Sequence, residues 1–314
     1  MMVAPLTEHR KQARLMGSAF EFVTVTEASD PEDHIDTAVA EVRRMEALLT
    51  EFSDTSQTAQ LNRAAGIHAV EVDPEVYAIL HRSREIARLT QGAFDITAGV
   101  LKKLYDFRNK PTTLPSRAAI DAALQRVGWD KIVLTPPGQA YLSAPGMHIG
   151  FGAIGKGYAA DKVKNVLQQK GIHSGVINAS GDLTAWGTRP DGTPWKVGIA
   201  DPNAPERVIA WIPVHQASVA TSGNYEQYFE LEGVRYSHNI DPKTGLPVQG
   251  IKSATVVSPS AELSDALATA VTVMGPSVGL HFIDQLPNTH CLIIDDQNRL
   301  HTSRHLSITL NSAT

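Results

Sequence analysis

Two pairs of side chains and two glycine-rich turns carry residue types suited to chemistry. In YSHNIDPKTG (236–245), His238 and Asp241 stand three residues apart, ahead of the turn-forming run Asp241-Pro242-Lys243-Thr244-Gly245. A histidine near an aspartate can act as an oriented general base, and a surface histidine beside a β-turn has the same local pattern. In ELSDALATAVTVMG (262–275), Asp265 and Thr269 are four apart, so a helix places both on one face. A carboxylate and a hydroxyl, joined by a backbone carbonyl, suit a hard cation, and Mg²⁺ fits best. The alternative is that Ser264 or Asp265 caps the helix while Thr269 merely packs. In GFGAIGKGYAADKV (150–163), small residues cluster where a strand turns into a helix, and Lys156 adds a charge. Such a turn either cradles an anion or is structural. It is neither a P-loop nor a dinucleotide fingerprint, because GxxxxGK[ST] is absent and Gly150, Gly152 and Gly155 lack the required setting. In NASGD (178–182), Asn178 and Asp182 flank a turn that could hydrogen-bond a ligand or simply form an Asx turn.

The elements that must position these residues read as a mixture. Alternating segment 19–26 predicts a strand, and helical spacing predicts helices over 35–49 and 75–89. Asp30-Pro31 marks the start of the first helix. Segment 110–117 reads as a loop, 118–127 as a short helix, and 131–135 and 147–151 as strands. A helix is expected over 156–169, capped by Gly171, with a strand at 175–178. Further strands fit 195–200, 207–214, 217–221, 226–231, 251–257, 290–294 and 305–310, and a helix fits 264–275. Strands and helices do not alternate strictly, which predicts an α+β fold.

Composition sets the outer bounds. The chain has 314 residues, of which 42% are hydrophobic, enough for a sizeable core. Net charge is −5 and no Lys/Arg stripe is visible, so no nucleic-acid partner is expected. No apolar run is long enough for a membrane span. The single cysteine, Cys291, excludes a disulfide framework. Residues 1–14 lack an apolar leader core, so the expected location is cytoplasmic, or exported if a leader has been removed.

Taken in order, these stretches resemble the ApbE family, the FAD:protein FMN transferases. The resemblance runs from residue 16 to about 275. Its marks are Met16-Gly17-Ser18, Phe52…Ser56…Asn62, GAFDIT (92–97), GAIGKG (152–157), NASGD (178–182), ATSGNYE (220–226), HNIDPKTG (238–245) and SDALATA (264–270). The pair HxxDPxTG and [SA]DALATA is the specific part. The resemblance implies a two-lobed mixed α/β catalytic domain with a cleft between lobes, spanning 15–314 after an N-terminal tail over 1–14. It implies Mg²⁺-dependent transfer of FMN from FAD to a Thr or Ser hydroxyl of an acceptor protein, through a phosphoester, with release of AMP. His238 matches the family's proposed base, with Asp241 as the other catalytic candidate. Ala153 (through its carbonyl), Asp265 and Thr269 match the metal ligands. Met16, Phe94, Asp95, Thr97, Lys156, Asn178, Ser180, Gly181, Asp182, Ser222 and Thr244 match flavin or pyrophosphate contacts. The chain departs from the pattern at Gly150, where many members have Asp, and at Ser180, where Gly is usual. Gln57 and Ala59 replace the more usual Glu and Ser. Two other activities fit the same residues: an FAD pyrophosphatase releasing FMN and AMP, and a non-catalytic FAD-binding protein.

Overall fold

Eight strands form one antiparallel sheet whose spatial order is also the chain order. They are Leu6–Leu15, Ser18–Glu27, Gly175–Ala179, Asp182–Trp186, Ser218–Gly223, Ile251–Ser258, His290–Asp295 and Leu300–Thr302. The remaining elements are mostly inserted between successive strands. The computed structural model describes residues 5–27, 32–105, 107, 111–225 and 227–311. The Asp30-Pro31 helix signal and Glu226 of the ATSGNYE stretch lie outside the described residues.

Both faces of the sheet are covered. Phe20, Phe22, Ile177 and Ala179 face helices Glu32–Leu49, Gly155–Gln169 and Ala261–Met274, packing with Val42, Met45, Ala159, Val163, Ala266 and Ala270. Val23, Val25, Leu183, Ala185, Val219 and Leu292 face the other way, onto strands Trp195–Asp201 and Ala204–Val214. Double coverage explains why Asp182–Trp186 is buried throughout and shows no apolar–polar alternation. A third apolar cluster stands apart from the sheet. It joins helix Gly99–Tyr105 (Val100, Leu101, Tyr105) and Ala123 to Phe229 of the hairpin Tyr228–Leu231/Val234–Ser237 and to Ile240. The α+β expectation is met.

Three expectations need correction. The strand expected over 305–310 is reduced to Thr309–Leu310, on the edge of Ala204–Val214. The N-terminal tail is, from Leu6 onward, an edge strand paired residue for residue with its neighbour, from Leu6 opposite Glu27 to Leu15 opposite Ser18. Its largely exposed side chains leave no apolar pattern, so the pairing is a backbone property. Segment 147–151 forms no strand. It is held instead by Asn62, whose side chain donates to the Ile149 carbonyl (3.0 Å) and accepts from the Ile149 N–H (2.8 Å).

The tightest constraint in the helical layer is at Gly157. A Cβ there would stand 2.2 Å from the Ala261 carbonyl oxygen. Gly157→Ala should therefore force the two helices apart, lowering stability by about 1–3 kcal/mol or more in a denaturant titration.

Candidate active site

The crossing at Gly157 also joins two of the motifs. The Gly157 N–H donates to Asp265 Oδ2 (3.2 Å), while the helix's own ladder begins with Tyr158 N–H on the Ile154 carbonyl (2.9 Å). In return, Asp161 of the first helix accepts the N–H groups of Ala261 (3.0 Å) and Glu262 (2.9 Å) at the start of the second. Ser260 Oγ accepts the Leu263 N–H (3.1 Å), so the N-cap is Ser260 rather than Ser264 or Asp265. Asp265 is thereby released from capping and is 6% exposed inside the layer. Thr269 lies one turn further on the same helix and is half-buried, as is Ala153 in the turn leading to Gly155. Asp265 thus stands at the crossing itself, where it accepts the Gly157 N–H.

Lys156 points to the sheet instead, where its ammonium pairs with Asp182. Burial pushes the Asp182 carboxyl up from its ordinary pKa, and the Lys156 charge opposes that shift. Asp182 follows a two-residue hairpin turn, with Ala179 opposite Asp182. Its corner residues, Ser180 (φ 58°) and Gly181 (φ 101°), are both left-handed. The Gly181 N–H donates to Asn178 Oδ1 (2.8 Å), which stabilises the turn despite a serine where glycine is favoured. Met16 occupies the neighbouring turn at the same end of the sheet (φ 49°), its methyl 3.6 Å from where a Cβ on Gly155 would stand.

His238 enters from the separate apolar cluster. Its backbone N–H and its Nδ1 both face the Gln227 carbonyl, at 3.0 and 3.1 Å. A carbonyl only accepts, so Nδ1 carries the proton and Nε2 keeps its lone pair. Loss of solvent around the ring pulls its pKa down to about 4, helped by the charges of Lys102 and Lys156 and opposed by the Gln227 carbonyl. Lys102 is also within electrostatic range of Asp265 and Glu51. His238 is thus coupled electrostatically to Lys156 and Lys102, and Lys102 to Asp265. Next to His238, buried Asn239 donates to Ser222 Oγ (3.2 Å) and Asn224 Oδ1 (2.8 Å), tying the HNIDPKTG stretch to the ATSGNYE strand.

Asp241 is occupied within its own turn. It accepts the Lys243 N–H (2.9 Å) and the Thr244 hydroxyl (3.0 Å). Tyr105 OH closes that turn by donating to the Gly245 carbonyl (2.6 Å). Asp95 and Thr97 are likewise internal. Asp95 accepts the Thr97 N–H (2.8 Å), the Thr97 hydroxyl (2.7 Å) and the Trp129 N–H (3.0 Å). Burial raises the Asp95 pKa against those bonds. Thr97 is fully buried and also accepts the Gly128 N–H (2.8 Å); Phe94 lies in the main core. The GAFDIT segment meets the DPKTG turn at Gly92, where a Cβ would stand 3.7 Å from Lys243 Cε.

The departures have local explanations. A Cβ on Gly150 would stand 2.8 Å from Glu51 Oε1, so the space for a side chain at 150 is taken by another carboxylate. Glu51 Oε2 is 2.6 Å from His148 Nε2. Gln57 Oε1 accepts the Asp73 N–H (2.7 Å). Residues missed by sequence reasoning are Asn224, Asn239, Gln227, Lys102, Glu51 and Asp161. The two asparagines lay inside quoted motifs, but their partners are distant in sequence. A concavity of about 530 Å³ adjoins the DPKTG turn, lined by Tyr105, Ile120, Tyr236, Asp241, Thr244 and Val248. Neither Lys156 nor Asp265 lines it. Among the described residues no helix is long and apolar enough to cross a membrane.

Asp241→Ala removes the acceptor that organises the turn behind His238. It should lower unfolding stability by about 1–3 kcal/mol, read by thermal or denaturant melts.

Comparison with known proteins agrees with this architecture. The family model described as the ApbE family matches residues 16–293. The FAD:protein FMN transferase of Escherichia coli K12 is 33% identical over 236 residues, 73% of this chain and 67% of that protein. The protein of the same name from Treponema pallidum is 31% identical over 293 residues, 87% and 81% of the two chains. The ApbE protein of Thermotoga maritima superposes with a TM-score of 0.88 at 29% identity, covering 95% of this chain and 97% of that one. The flavinyl transferase ApbE of Pseudomonas stutzeri, in its apo form, gives 0.85 at 25% identity, covering 97% of each. The eight-stranded sheet, the helix crossing at Gly157 and the HNIDPKTG turn are thus those of a member of the ApbE family, to which this chain belongs.

Proposed function

We propose that this chain transfers FMN from FAD to a Thr or Ser hydroxyl of an acceptor protein, in a Mg²⁺-dependent reaction that releases AMP. Relatives named FAD:protein FMN transferase support the reading. The observation that carries it is the state of His238. A hydroxyl is a poor nucleophile at neutral pH and needs a neutral, oriented proton acceptor. His238 offers Nε2 for that role while its Nδ1–H is held by the Gln227 carbonyl, and its lowered pKa keeps the ring uncharged through the neutral range.

In the proposed step the acceptor oxygen bonds to the phosphorus of the FMN half. The bond from that phosphorus to the AMP oxygen breaks, and the hydroxyl proton passes to His238 Nε2. Lys156 and Lys102 bring positive charge to a chain whose net charge is −5. Asp265, Thr269 and the Ala153 carbonyl would hold Mg²⁺. When bound, the ion neutralises charge on the pyrophosphate and its developing leaving group. Their donors are hard oxygens, as this ion requires. Among the described residues no three His, Cys, Asp or Glu side chains gather into a metal cage. A small protein share completed by substrate phosphates and water is the usual Mg²⁺ arrangement.

The primary test is incubation with FAD, Mg²⁺ and a protein bearing an Asp-Gly-x-Thr-Gly-Ala-Thr segment, followed by mass measurement for a covalent FMN adduct. No adduct with several such acceptors, by protein that still binds FAD, overturns the proposal. Asp265→Ala and EDTA treatment should each abolish turnover, and unchanged turnover in both would remove the metal role. His238→Ala should lose about 10²–10⁴-fold in rate. The base acts when neutral, so activity is lost as pH falls through its pKa. The acid limb of kcat/KM should centre near pH 4 and be absent from His238→Ala. A limb at the ordinary imidazole value, about 6.5, would contradict it.

A further inference from the structure

Among the described residues, the hairpin that leads into His238 has an open edge. Strand Val234–Ser237 pairs on one side with Tyr228–Leu231, and these two strands form a sheet of their own. A cavity of about 480 Å³ lies beside it, lined on the hairpin side by Gly233, Val234, Arg235 and Ser237. An unpaired strand edge facing a groove is the arrangement that accepts an extended polypeptide as an added strand. The next residue after this strand is His238, so the edge leads to the base.

The opposite wall supplies charge. Lys252 Nζ donates to Asn203 Oδ1 (2.7 Å) and Asn298 Oδ1 (2.6 Å). Both partners are neutral amides, and among the described residues no carboxylate lies within ion-pair distance of Lys252. Two amide oxygens thus fix an ammonium in place without neutralising it, and an ammonium has a third proton to donate. Of the other charges on the cavity, Arg235 stacks on Tyr228 (4.1 Å) and pairs with Glu230 (3.2 Å). The Asp296 carboxylate accepts the Gly250 N–H (2.6 Å). The groove is also continuous with the site: Asn224, which lines it, accepts from Asn239, the neighbour of His238.

We propose that this groove docks the acceptor protein, as an extended segment paired along Val234–Ser237 with an acidic side chain on Lys252, so that its hydroxyl reaches His238. The assignment rests on the proposed FMN transfer and names the partner's chemistry.

The test uses the full chain with FAD, Mg²⁺ and the acceptor protein carrying the Asp-Gly-x-Thr-Gly-Ala-Thr segment. Lys252→Glu should raise KM for the acceptor about tenfold or more, the loss expected for one charge-assisted hydrogen bond, with FAD affinity unchanged. Lys252→Met, which keeps the aliphatic stem, should give a smaller rise in the same direction. An acceptor whose segment carries Lys in place of Asp should be used poorly by the unsubstituted enzyme and regain KM with Lys252→Glu. Adduct formed by Lys252→Glu at an unchanged acceptor KM, or no recovery in the swapped pair, overturns the docking assignment and leaves FMN transfer standing. No adduct with the unsubstituted enzyme overturns transfer and, with it, this assignment.

Discussion

The contact on which the site depends is the close crossing of helices Gly155–Gln169 and Ala261–Met274. A side chain at 157 is excluded by the Ala261 carbonyl, 2.2 Å from the place a Cβ would take. The crossing is reciprocal. One helix gives the Gly157 N–H to Asp265, and the other gives the Ala261 and Glu262 N–H groups to Asp161. Helix starts leave unsatisfied N–H donors, and here each helix satisfies donors of its partner. The cross-links fix rotation as well as distance. They hold Asp265, with Thr269 one turn beyond it on the same helix, against the start of the helix Gly155–Gln169. They also decide where Lys156 goes: its neighbour Gly157 faces the second helix, so the lysine turns toward the sheet and Asp182.

Charge in this region is handled by fixed local groups. Asp182 is 2% exposed, and an isolated buried carboxylate would be costly. Its partner Lys156 is half-buried, reaching from helix to strand across the sheet end. A paired lysine loses less conformational freedom when an anion arrives, because its position is already set. Lys102 approaches from a third element, helix Gly99–Tyr105, and acts on both Asp265 and His238. The positive charges come from different parts of the chain, which is why composition, with a net charge of −5, gives no sign of them.

What the sequence revealed follows the same division. Features set by local chemistry were legible: the helix expected over 264–275, which spans Ala261–Met274, the Ser180-Gly181 turn, the DPKTG turn and the α+β mixture. Features set by partners distant in sequence were not. Leu6–Leu15 has the polar composition of a tail and is a strand because Ser18–Glu27 offers it a ladder. Asp182–Trp186 lacks alternation because both its faces are covered. The carboxylate beside Gly150 comes from Glu51, some hundred positions earlier. Asp95, Thr97 and Asp241 show the converse. Their motif is legible, and each uses polar atoms on neighbouring backbone and side chains to build its turn.

His238 stands outside the helix crossing, on the cluster built around Phe229 and Ile240, and this shapes how it would work in the proposed transfer. Its Nδ1 partner is a peptide carbonyl. A carboxylate in that place would orient the ring equally well but would raise its pKa. The Gln227 carbonyl orients it with little such gain, and burial with two nearby ammonium groups leaves a base of pKa about 4. A base that weak removes little of a hydroxyl proton before reaction. It suits a transition state in which the phosphoryl group has largely parted from its leaving group and the incoming oxygen is only loosely bonded. The proton then becomes acidic late, when the new bond is nearly made. In such a reaction most of the acceleration must come from charge stabilisation at the phosphates. The proposed roles divide accordingly. The groups that would face the phosphates are anchored on the helix crossing and the sheet end, and the weak base would be carried by a hairpin whose outer edge, among the described residues, is unpaired.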